Sequence, residues 1–172
     1  VLAHEAIPIR PDMGAVNWIG FIPNGTTQGS FYIDNVNLEA IDVQLEALGG
    51  SSLIKNGSFE APNISSKFKP CDPNSSALSG WTISGKGVVV VDGFDNFGKW
   101  PAPAKASAGS QFLQLQTHHG GAGTISQDFT TTAGETYVLK FDYSGIHPDN
   151  STTALTYTIS DTATKEIQLN IT

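Results

Sequence analysis

The stretch TYVLKFDYS, residues 136 to 144, alternates so regularly that it limits what the whole chain can fold into. On an extended backbone Tyr137, Leu139, Phe141 and Tyr143 fall on one side, and Val138, Lys140 and Asp142 on the other. That period is a strand's, with one face turned to a core. Comparable short runs, bounded by Gly, Pro, Asn or Ser, predict strands at 15–22, 30–39, 53–60, 80–84, 86–92, 110–117, 123–131, 136–144, 153–160 and 165–171. Within 110–117, Gln114 and Gln116 share a polar face opposite Leu113 and Leu115. So many short strands separated by turns predict an all-β fold, an antiparallel β-sandwich or jelly roll. One helical candidate exists, AIDVQLEALGG, with Ile41, Leu45 and Leu48 at i, i+4 and i+7 before a Gly-Gly stop. Alternation through Val43 and Leu45 fits a strand equally well.

A chain of 172 residues can bury a real core as one domain, or as one domain plus a fragment. Nine Lys and Arg against sixteen Asp and Glu give a net charge of −7 and a pI near 4.8. This disfavours nucleic acid or an anionic membrane as partner and suits a neutral one. No apolar run approaches the ~20 residues of a membrane span. VLAHEAIPIRPDM is too polar and proline-rich for a signal peptide, so the chain reads as mature or as a piece of something longer. The single cysteine, Cys71 in KPCDPNSS, has no partner for an internal disulfide. A free thiol, an intermolecular bond and a plain loop residue all stay open. Sequons begin at Asn24, Asn56, Asn63, Asn74, Asn150 and Asn170; in a eukaryotic source they point to a glycosylated extracellular protein.

Four motifs follow in order: LIKNGSFE (53–60), GWTISGKGVVVVD (80–92), SAGSQFLQLQ (107–116) and GAGTISQDFTTTAGETYVLKFDYSG (121–145). Their succession resembles the galactose-binding-like β-sandwich superfamily, in particular its jelly-roll carbohydrate-binding modules and related plant cell-wall and bacterial exported domains. In that family a segment like GSFYIDNVNLEAI closes the sandwich, yet here it stands at 29–41, ahead of the opening motif. Residues 1–41 therefore read as closing strands, 42–52 as a linker containing GGSS, and 53–172 as the main sandwich lacking its closing strands. Residues 1–41 could end a preceding module, complete a neighbouring subunit, or close their own permuted domain. The linker between the two parts favours a repeated or head-to-tail assembly.

Nothing in the chain matches G-x-S-x-G, a P-loop, a Rossmann fingerprint or HExxH, and no distinctive carboxylate pair stands out, so the expectation is a protein that is not an enzyme. His118 and His119 would point to opposite faces of a strand, which suits a loop better than a metal site. His4 and His147 have no partner at ligand spacing. The resemblance implies a structural Ca²⁺ where first and last strands meet, with Glu60, Asp34 and the Gly109–Ser110 backbone at the matching positions. The alternative is that Glu60 and Asp34 are half-buried carboxylates bonded to backbone amides.

Sugar recognition needs an aromatic platform with polar groups beside it. The candidates are Trp100, Gln114, Gln116, Tyr143 and Asp95, with Trp81, Phe97 and His147 behind them. Trp100 sits in the polar stretch DNFGKWPAPAK, where it has little core to enter, whereas Trp81 matches a position usually buried in the family. Two functions are expected. One is a non-catalytic extracellular carbohydrate-binding module whose partner is a glycan. The other is a structural repeat of an extracellular filament, sheath or adhesin, assembled head to tail by strand complementation.

Overall fold

The computed structural model describes residues 3–9, 16–24, 30–41, 52–92, 105–117, 121–132, 135–146, 153–159 and 163–169. Over these residues the chain forms twelve strands: β1 (Ala3–Ile9), β2 (Val16–Asn24), β3 (Ser30–Ile41), β4 (Phe68–Cys71), β5 (Thr82–Gly85), β6 (Val88–Asp92), β7 (Gln111–Gln114), β8 (Gln116–Thr117), β9 (Gly121–Thr130), β10 (Thr136–Ile146), β11 (Thr153–Ile159) and β12 (Ala163–Leu169). No helix occurs among the described residues. The first sheet runs β1-β10-β3-β7-β6-β4; the second runs β12-β11-β2-β9-β5, with β8 paired to β9. Every pairing is antiparallel. The fold is an all-β antiparallel sandwich.

Strands from residues 1–41 sit inside both sheets of the same chain. β3 lies between β10 and β7, and β2 lies between β11 and β9. The helical candidate lies outside the described residues beyond Ile41, as does the linker before Ser52.

The core follows from the alternation. In β9, Ile125, Gln127 and Phe129 turn inward while Ser126 and Asp128 turn out. The apolar run Val88–Val91 is buried on both faces, as a strand with no polar alternation requires. Val88 and Val90 join the main core, and Val89 and Val91 join a second cluster with Tyr32, Ala106 and Phe112 on the sheet's other face. Phe21 of β2 bridges the two sheets. Its ring meets Phe141 of β10 edge-on at 5.2 Å and Trp81 at 6.4 Å, and Phe141 in turn meets Tyr157 of β11 at 5.9 Å.

Two strands were not anticipated, and both are edges carrying a proline. Pro8 in β1 stands opposite Val138, and Pro70 in β4 opposite Val89. Proline cannot donate to a ladder, so it is tolerated at an edge and blunts it against further pairing.

The expected strand 53–60 is instead an irregular segment. Asn56 and Phe59 hold φ of 52° and 56°, a left-handed conformation that ends any extended ladder. A Cβ on Gly57 would lie 1.8 Å from the Val36 carbonyl oxygen. The Asn-Gly dipeptide at 56–57 was the local sign of a turn. The segment still docks on β3, through Val36 N–H to Gly57 O (2.9 Å) and Leu53 N–H to Leu38 O (2.8 Å), and it buries Ile54 and Phe59.

Because Phe21 is fully buried where the two sheets meet, Phe21→Ala should cost about 3–5 kcal/mol in denaturant unfolding. A loss below about 1 kcal/mol would show that the core is not organised around it.

Candidate functional site

Glu60 and Asp34 grip the two ends of one loop. Asp34 leaves β3 beside a bulge, where Asn35 has φ of 51° and the β3–β10 register shifts. Its Oδ2 accepts from Ser107 N–H (2.7 Å), Ser107 Oγ (3.0 Å) and Ala108 N–H (3.0 Å), and its Oδ1 from Asn35 N–H (2.7 Å). Glu60 Oε1 accepts from Ser110 N–H (2.9 Å) and Gln111 N–H (2.7 Å), and Oε2 from Ser110 Oγ (3.1 Å).

Gln111 returns the grip. Its buried amide donates to Phe59 O (2.7 Å) and Pro62 O (2.9 Å) and accepts from Ile64 N–H (2.7 Å). Gln127 holds Lys55 by both its N–H (2.6 Å) and its carbonyl (3.0 Å). Side chains thus satisfy the backbone groups that a strand ladder would have paired. Sequence periodicity carries no sign of such pairings, which are made between segments some 50 to 70 residues apart.

All four carboxylate oxygens therefore face N–H or O–H donors. A Ca²⁺ cage needs oxygen acceptors converging on one point, whereas the Glu60 and Asp34 carboxylates here meet N–H and O–H donors of residues 107–111 and of Asn35. As placed, Glu60 and Asp34 brace the loop at residues 107–111. No three His, Cys, Asp or Glu converge among the described residues. Adding millimolar Ca²⁺ or EDTA should leave the melting temperature unchanged. A clear rise with Ca²⁺ would mean that these donors turn away to admit the ion.

Asp34 is fully buried, and burial pushes its carboxyl from 3.8 up to about 6 against the opposing pull of its hydrogen bonds to Ala108, Asn35 and Ser107. It pairs in register with Asp142 of β10, which accepts from Asn35 Nδ2 (3.2 Å), and His4 of β1 stands opposite Asp142. A carboxyl raised on folding holds its proton more tightly in the folded state. Its contribution to stability is full below about pH 4 and is lost as pH rises through about 6. The Asp34 side-chain carbon should titrate near pH 6 by NMR. Relative to Asp34→Asn, the protein should lose on the order of 3 kcal/mol between pH 4 and pH 7. A midpoint near 4 would refute this.

Among the described residues, the expected sugar-binding residues Gln114 and Tyr143 lie on opposite faces of the first sheet. Trp100, Asp95, Phe97 and His147 lie outside the described residues, as do His118 and His119. Gln116 stands in β8 opposite Ala122. Gln114 pairs with Tyr32 and Val89 on the face of the first sheet that carries the second apolar cluster. Tyr143 faces the other way, packing on the main core with its ring 5.9 Å from Phe141. Trp81 is buried and donates its indole N–H to Asn56 O (3.1 Å). Cys71 is buried at the end of β4, and burial raises its thiol above the ordinary value, which makes it a poor nucleophile.

Of the sequon residues, Asn63 and Asn74 are exposed, and Asn24 ends β2. The Asn56 amide donates to Ala61 O (2.6 Å) and Ser79 O (2.9 Å), so a glycan there would have to displace both bonds. Asn150 and Asn170 lie outside the described residues.

What sequence reasoning missed lies on the outer face of the second sheet. Alternation along β2 turns Ile19 and Phe21 inward and Trp18, Gly20 and Ile22 outward. The six-membered ring of Trp18 occupies the space over Gly20, where a Cβ would come within 2.7 Å of Cζ3. Thr158 and Ser126 flank Gly20 in register on either side, Thr82 continues the row, and the exposed Asp128 stands opposite Trp18. The result is a half-buried indole on a face of hydroxyls with one carboxylate beside it. The missing signal was partnership: Trp18 reads as one more apolar residue of AVNWIGFI until β9 and β11 show what surrounds it.

The fold and these two features define an all-β sandwich whose loop at residues 107–111 is braced by side chains and whose second sheet carries the Trp18 indole on its outer face. A family model matches residues 52–172, and the chain belongs to that family, described as Protein of unknown function (DUF642). Neither the curated proteins nor the solved structures held a match to this chain.

Proposed function

We propose that this protein is a non-catalytic carbohydrate-binding module of the cell surface or cell wall, and that a neutral glycan lies on the outer face of the second sheet over Trp18. The observation that carries the reading is the Trp18 ring seated over Gly20, with Asp128 opposite and Ser126 and Thr158 alongside. An indole offers a π surface to the C–H face of a pyranose, while a carboxylate and hydroxyls take up sugar hydroxyls. Gly20 is what leaves room for the ring against the sheet.

Two further facts support it. The net charge of −7 suits a neutral ligand better than an anionic one, and exposed Asn63 and Asn74 suit an extracellular, glycosylated setting. Kinship with the galactose-binding-like jelly-roll modules, carried by the four ordered motifs, is part of the same reading. Among the described residues no helix is long and apolar enough to cross a membrane.

The test is retention on a panel of immobilised neutral polysaccharides: β-glucan, xylan, mannan and galactan. Trp18→Ala should weaken retention by on the order of tenfold, with cooperative melting preserved. A loss confined to Trp100→Ala would move the site to Trp100. No retention of the unaltered protein on any of the four would sink the reading.

A further inference from the structure

Among the described residues the first sheet ends in β1 and β4 and the second in β12 and β5. Three of these four edges carry a device against further pairing. β1 contains Glu5 and Pro8, β4 contains Lys69 and Pro70, and β12 contains Lys165 and Glu166. Proline removes a ladder donor, and a charged side chain makes burial against another strand costly. β5 reads Thr82-Ile83-Ser84-Gly85, with neither a proline nor a charge, and Thr82, Ser84 and Gly85 are exposed. The next charge along, Lys86, lies over Gly121 of β9.

The turn that follows β4 comes to this edge. Asn74 N–H donates to Ile83 O (2.9 Å), so residue 74 stands beside the middle of β5. Asn74 is exposed, holds φ of 60° and opens the sequon Asn74-Ser75-Ser76. Ser75 folds back on the turn, its Oγ donating to Asp72 O (2.7 Å), while Ser76, the hydroxyl residue of the sequon, is exposed.

The sequon at Asn56 is built differently. Its amide donates to Ala61 O and Ser79 O, and its Oδ1 accepts from Ala61 N–H (3.0 Å). An N-linked sugar replaces one amide hydrogen, so a chain modified at Asn56 loses part of what holds residues 56–61 together and to Ser79.

We propose that Asn74 is an N-glycosylation site whose glycan shields the β5 edge, and that Asn56 stays unmodified in the folded protein. In the transfer, Asn74 Nδ2 forms a bond to the anomeric carbon of a lipid-diphosphate-linked oligosaccharide, the bond from that carbon to the diphosphate breaks, and the amide gives up one proton. A glycan is bulky and hydrated, and a strand approaching β5 would have to displace it. The proposal rests on the extracellular setting of the proposed function and is independent of a ligand over Trp18.

The test uses the full chain secreted from a eukaryotic cell line. Peptide mapping should find Asn74 glycosylated and Asn56 bare. Ser76→Ala removes the sequon and leaves Asn74 in its turn; this variant should lose the mass of one glycan and, by light scattering, associate as its concentration rises. Adding Ser84→Lys, which charges the edge itself, should return it to the state of the unaltered protein. Ser65→Ala, which removes the sequon at Asn63, should not associate. A bare Asn74 beside an occupied Asn63 overturns the site, and a secreted chain with no glycan at any sequon overturns the extracellular setting with it. A glycan on Asn56 of the folded protein overturns the distinction between the two sequons. The shielding role is overturned by a Ser76→Ala variant no more associated than the unaltered protein, by one that Ser84→Lys fails to relieve, or by equal association of Ser65→Ala.

Discussion

The pairing of β3 with β10 is the constraint on which the rest of the molecule hangs. Ser30 to Ile41 runs against Ile146 to Thr136, interrupted only by the bulge at Asn35. Below that ladder Phe31, Ile33, Val36 and Leu38 enter the main core. The bulge has two consequences. It leaves the Val36 N–H for Gly57, which fixes the segment after residue 52 against the sheet. It also sets the Asp34 carboxylate against Ser107 and Ala108, so a loop well over 60 residues away in sequence is held from the same point.

The two sheets divide the work. Around β3, β7 and β6 the first sheet is covered on both faces, by the main core on one side and by the cluster of Tyr32, Val89, Val91, Ala106 and Phe112 on the other. Its outer face there is therefore spent on packing, and Gln114 stands in register beside it. Among the described residues, the outer face of the second sheet carries Ser126, Thr158, Thr82 and Asp128 around the Trp18 indole. A sandwich held together between its sheets, and by side-chain braces at its loops, can leave that face to a ligand.

Much of this was legible in the sequence. Strict alternation located β9 and β10, and the expected strand at 86–92 contains β6. The residues around Glu60, Ser110 and Asp34 were singled out together, and they do act on one loop: the two carboxylates accept, and Ser110 is among their donors. The opening motif misled because its apolar residues, Ile54 and Phe59, are buried as a strand's would be, while its backbone bonds go to Gln127, Gln111 and β3. Burial pattern and ladder pairing are separable properties, and only the first is written in periodicity.

By itself the sequence determined the class of fold, because a period of two leaves no other way to bury one face of so many short segments. It also determined which side chains could fill the core. Tertiary structure alone decided which strands are neighbours. Strand partners are chosen by contacts between distant segments, and no local pattern encodes that β2 enters one sheet and β3 the other. Those choices placed Thr158, Ser126 and Asp128 around Trp18, and they made residues 1–41 the piece that both sheets require.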